Sequence, residues 1–104
     1  MKIYQVAHIG DGSVENAIFT AQPEAERIAA AVWSDLPRQK RETHTVSVWA
    51  FDADLSKLRE DYLAEFGLTR DIDPHDIPIE AWEDILYFHN GVVLSDPESI
   101  VEYQ

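Results

Sequence analysis

Apolar and polar positions change their period several times along the chain, and each change marks an element. Ile3, Tyr4, Val6 and Ile9 lack helical spacing and predict a strand over residues 2–9, stopped by the dense turn signal Gly10-Asp11-Gly12-Ser13. A short returning strand is expected from Asn16 to Thr20. Ala25, Ile28, Ala29, Val32 and Leu36 then recur at i, i+3, i+4, i+7 and i+11, which places one apolar face on a helix over residues 21–35. Thr20 is its expected N-cap and Pro37 its stop. Arg38, Lys40 and Arg41 follow where a helix end carries partial negative charge, so their expected role is to terminate it.

The run from His44 to Asp52 is rich in β-branched and aromatic residues. It predicts a central strand with Val46, Val48 and Ala50 on one face and Trp49 and Phe51 on the other. Asp54 is then expected to cap a second helix carrying Leu55, Leu58, Tyr62 and Phe66, ended by Gly67, with Lys57 and Asp61 as an outer i,i+4 pair. Two prolines make a loop of residues 68–78. Ile79, Trp82, Ile85 and Leu86 suit a helix, whereas Tyr87-Phe88-His89 before Asn90-Gly91 suits a hairpin arm. The expectation is a short helix over 79–84 followed by a hairpin returning through Val92-Val93-Leu94. Ser95-Asp96-Pro97-Glu98 has the spacing of a capping box, so residues 96–103 are expected to close the chain as a brief helix. Together these elements define an α+β domain: a small, mostly antiparallel sheet of three to five strands, two main helices packed on it, and short helical turns near the C-terminus.

At 104 residues the chain holds one ordinary core, and 45% hydrophobic residues with few Gly and Pro exclude a disordered or low-complexity tail. With no cysteine, disulfides, thiolate metal sites and a cysteine nucleophile are excluded as well. Polar residues break every apolar run near the N-terminus, and no stretch reaches the length of a membrane span, so a cytoplasmic location is expected.

Charge adds the most distinctive feature. The formal net charge is -12, from 20 acids against 8 Lys and Arg, and no Lys or Arg follows Arg70, whereas nine acids do. That sign disfavours direct binding to nucleic acid or to anionic lipid. Like charges repel in a compact state unless a partner supplies the opposite sign. The expected function is therefore a non-enzymatic protein-interaction module whose acidic second half docks on a basic surface. Asp71, Asp73, Asp76, Glu80, Glu83 and Asp84 are the expected contacts, and Trp82, set among carboxylates, is the expected anchor. A sharper version is nucleic-acid mimicry against a DNA-handling enzyme, since duplex DNA itself presents one charge per ~1.7 Å. In size and charge alone, the chain is similar to small acidic inhibitors encoded by phages or mobile elements.

Other chemistry finds less support. Taking Asp71 as the first position of a calcium loop puts Asp76 where glycine is required and Trp82 where a bidentate Glu is required. Gly10-Asp11-Gly12-Ser13-Val14-Glu15 departs from a dinucleotide fingerprint at its sixth residue and is acidic where a phosphate would sit. Ser13 has no nucleophile-elbow context. His8, His44, His75 and His89 lack paired ligand spacing, although His8 and His44 lie on predicted strands that bring them within reach of each other. The expectation is no enzyme, no cofactor and no metal. Its rival is a small-ligand or divalent-metal protein built on His8, His44 and the Asp71–Asp76 loop, and a third reading is self-association through a sheet edge.

Overall fold

The structure is a computed structural model that describes residues 1–57, 60–65, 69, 73–88 and 92–104. Strand β1 (Lys2–Gly10) turns into β2 (Ser13–Phe19) through Asp11 and Gly12. These residues have φ of 48° and 80°, the left-handed values that a two-residue hairpin of this twist demands, and Asp-Gly is a pair that adopts them at low cost. Strand β3 (His44–Asp52) pairs with the other side of β1, and β4 (Glu98–Tyr103) with the outer side of β3. The sheet is antiparallel throughout, in the order β2-β1-β3-β4.

Because side chains alternate across each strand, the sheet has two faces with different covers. Helix α1 (Gln22–Asp35) lies on the face made by Val6, Phe19, Val46 and Val48. It turns Ala25 and Ala29 inward, with Ile28, Val32 and Trp33 packed around them. Two alanines on the inner face let the helix axis approach the sheet closely. Its N-cap is Ala21 instead of Thr20, with no side-chain cap, and Pro23 in the first turn needs no donor. Arg41 closes the other end as expected, donating from Nη2 to the Ser34 carbonyl at 3.2 Å and lying 5.5 Å over the Trp33 ring.

The opposite face has a second core at one end. Ile3, Ile18 and Phe51 meet Leu63 of α2 (Glu60–Glu65), Ile77, and Ala81, Trp82 and Ile85 of α3 (Ile79–Phe88). At the hairpin end this face is open, and Ile9 and Val14, paired across β1 and β2, are exposed. The resulting shape is elongated, about 46 × 25 × 21 Å. No helix among the described residues is long and apolar enough to cross a membrane.

Three expectations change. Residues 98–103 form a strand, not a helix: the Ser95 hydroxyl accepts the Asp52 N–H at 2.9 Å instead of capping a helix. Ile100, Val101 and Tyr103 pack on the core beneath α1, and a register shift at Val48/Trp49 accommodates the pairing. Helix α3 continues to Phe88 instead of ending near residue 84, and Val93 bridges Ala53 at the end of β3 rather than returning from a hairpin. Where the second helix is expected, Leu55–Lys57 form a 3-10 turn and Glu60–Glu65 the helix α2. Asp54 does cap that turn, its carboxylate accepting from the Ser56 N–H at 3.0 Å and from the Ser56 hydroxyl. Leu58, Phe66, Gly67, His89 and Asn90-Gly91 lie outside the described residues, as does the side chain of Asp61.

Candidate functional site

Two groups of side chains stand out, and they lie on different parts of the fold. The first is the acidic surface. Asp73 and Asp76 are exposed on the 3-10 turn Pro74–Asp76, where Asp73 caps by accepting the His75 N–H at 2.9 Å. Glu80 and Glu83 are exposed on α3 and Asp84 is half-buried. With 3.6 residues per turn, 80, 83 and 84 share one side of the helix, while 81, 82 and 85 share the side turned to the core. Asp71 lies outside the described residues.

Trp82 is therefore not an exposed anchor. It is 1% exposed, its ring meets Phe51 edge-on at 6.5 Å, and its indole N–H donates to the Pro74 carbonyl at 3.0 Å. The carboxylates that flank it in sequence point the other way in space. Its work is to fix the acidic turn and α3 to the sheet.

The second group is at the hairpin end. In the antiparallel register His8 lies opposite Glu15 on β2 and Gly10 opposite His44 on β3. The imidazoles converge: His8 Nε2 is 2.9 Å from His44 Nδ1, and their ring centroids are 5.1 Å apart. At the outer ends His44 Nε2 is 2.9 Å from Asp11 Oδ2, and His8 Nδ1 is 3.8 Å from Glu15 Oε2. His44 is buried, and the Gly10 backbone packs so closely on its ring that a Cβ there would overlap it. Glycine at this position makes the space in which the ring lies.

The His8–His44 approach was within reach of sequence reasoning, but the partnership of Asp11 and Glu15 was missed. A two-residue turn at Asp11-Gly12 places 8 opposite 15 by counting, so one half of the chain was readable from the turn. Among the described residues, no three His, Asp or Glu side chains form a group able to hold a metal ion.

The carboxyl of Asp11 is held below its ordinary value of about 3.8, first by its hydrogen bond to His44 and then by the charge interaction with that ring, with smaller help from Thr43 and Lys40. A carboxyl depressed in the folded state contributes stability that is present above its unfolded value and is lost as pH falls through the lowered one. Asp11→Asn, which keeps the left-handed turn acceptable, should thus lower the urea midpoint above pH about 4 and leave it close to that of the parent chain well below. Paired urea titrations across this range check it.

No family model, curated protein or solved structure matches the chain. The architecture is that of an α+β domain with a four-stranded antiparallel sheet.

Proposed function

We propose that the protein is a non-enzymatic interaction module that docks its acidic second half on a basic surface of another protein. The observation that carries this reading is a set of exposed carboxylates, Asp73, Asp76, Glu80 and Glu83, in a stretch with no Lys or Arg after Arg70. Among the described residues, the ion pairs are Lys2–Asp52, His8–Glu15 and His44–Asp11, and all lie within the first 52 positions. Among the described residues, Asp73, Asp76, Glu80 and Glu83 are thus left without an ion-pair partner inside the fold. With Trp82 in the core, the patch lacks the aromatic that would have supplied salt-insensitive affinity. Charge then dominates the interaction, both in steering encounter and in holding the complex.

A nucleic-acid-handling enzyme is the partner class that fits the charge most sharply. Competition by duplex DNA for the same partner supports mimicry, and simultaneous binding of both argues against it.

The test compares the parent chain with a variant carrying Asp76→Lys, Glu80→Lys and Glu83→Lys as affinity baits in nuclease-treated lysate. All three positions are exposed, so melting temperature should hardly move. Exposed pairs are worth about 0.2–1 kcal/mol each, and reversal adds repulsion, so affinity for the captured partner should fall about 10- to 100-fold. Equal retention by both baits removes this surface from consideration.

A further inference from the structure

At the hairpin end, the four ring nitrogens of His8 and His44 lie in one chain between two carboxylates, in the order Asp11, His44, His8, Glu15. Carboxylates only accept, so each outer nitrogen is best satisfied as N–H, and the inner 2.9 Å contact needs one N–H and one lone pair. The full chain uses three N–H groups on four nitrogens. A neutral pair of imidazoles has two, and a doubly protonated pair has four.

We propose that His8 and His44 share one extra proton between Asp11 and Glu15, and that a second proton breaks their contact and releases the tip of the β1–β2 hairpin from β3. With one extra proton, His44 donates through Nε2 to Asp11, His8 donates through Nε2 to His44 Nδ1, and His8 Nδ1 donates towards Glu15. Without it, one outer carboxylate faces a lone pair, and Glu15, at 3.8 Å and largely exposed, is the one to disengage. With a second proton, two N–H groups and two positive charges oppose each other at the inner contact, and the rings must separate. His44 belongs to the last pair of the β1–β3 ladder and its ring lies over Gly10, so separation of the rings acts on the Gly10–His44 end of that ladder.

Thr43 directs its hydroxyl to Asp11 at 3.4 Å and to the Lys40 carbonyl, and the Lys40 ammonium adds positive potential at Asp11. Arg41 is engaged with Trp33 and the Ser34 carbonyl. From β4 comes the Tyr103 phenol, opposite Val46 and stacked on Trp33 at 5.8 Å.

The test is a pH series from about 8 to 5, the interval in which histidine changes charge, on the full ¹⁵N-labelled chain. Ring-nitrogen shifts and amide hydrogen exchange are followed together. The expected result is two coupled steps, in which both rings respond to each proton. The second step should come with an exchange rate, corrected for its intrinsic pH dependence, about tenfold higher in the Gly10–His44 and Ile9–Thr45 pairs than in the Val6–Val48 pair. In His8→Gln the amide can present its oxygen to a protonated His44, so the accelerated exchange should disappear. Rings that titrate independently in the parent chain overturn the proposal, as does uniform exchange along the ladder. Acceleration that persists in a folded His8→Gln chain overturns it as well.

Discussion

Replacing Trp82 by alanine is expected to cost about 3–5 kcal/mol, the range for deleting a large buried aromatic. The indole is 1% exposed and touches a core that includes Ile3, Phe51, Ile77 and Ile85, so its removal leaves a cavity between α3 and the sheet. It also removes one of the two donors to the Pro74 carbonyl, leaving the Ile77 N–H at 3.2 Å. Trp82→Phe separates these contributions. Most of the apolar volume stays and the indole donor is lost, while the Pro74 carbonyl keeps the Ile77 N–H at 3.2 Å, so the loss should cost about 0.5–1.5 kcal/mol on its own. Chemical denaturation of both variants checks the order. The same pair distinguishes a core residue from a binding anchor: folded Trp82→Phe chain should retain its captured partner, since the carboxylates beside it are presented by α3 and not by the indole.

Gly10→Ala is expected to destabilise by about 2–4 kcal/mol, although it adds a single methyl group. The new Cβ would overlap His44 at Nδ1, Cγ and Cε1, and that ring is 8% exposed, held between His8 and Asp11. Relief requires the imidazole to leave, which breaks its contacts with His8 and Asp11 together. The three atoms nearest the new Cβ all belong to His44, so the effect should be strongly non-additive. In a His44→Ala background, Gly10→Ala should cost less than about 1 kcal/mol. A full cost in that background would mean that the backbone at residue 10, and not the ring, sets the requirement for glycine.

Local signals in the sequence were sufficient where neighbours in the chain are neighbours in space. Asp11-Gly12 marks a hairpin, the spacing from Ala25 to Leu36 marks α1, and the β-branched run after His44 marks β3. β2 starts at Ser13, earlier than expected, because Val14 lies on the open part of the sheet face, where exposure obscures the usual alternation. β4 was hidden for a different reason. Ser95-x-x-Glu98 carries a genuine local preference for a helix start, but pairing with the free edge of β3 outweighs it, and that edge lies some 50 residues back in sequence.

Trp82 shows the same limit in another form. Glu80, Glu83 and Asp84 surround it in one dimension, whereas the 3.6-residue period places them opposite it around the helix. For the histidine chain, His8–Glu15 follows from the turn. His8–His44 joins residues 36 apart across an intervening helix, and its geometry depends on a register that the strands themselves do not reveal.

The most direct measurement on the acidic surface is the affinity of the purified full chain for the protein it captures, followed as salt is raised from about 50 to 200 mM. A docking surface made of carboxylates predicts that affinity falls at least about tenfold over this interval, and that the Asp76→Lys, Glu80→Lys, Glu83→Lys chain binds weakly throughout with a flatter dependence. An affinity that is constant across the series and equal for the two chains would contradict it.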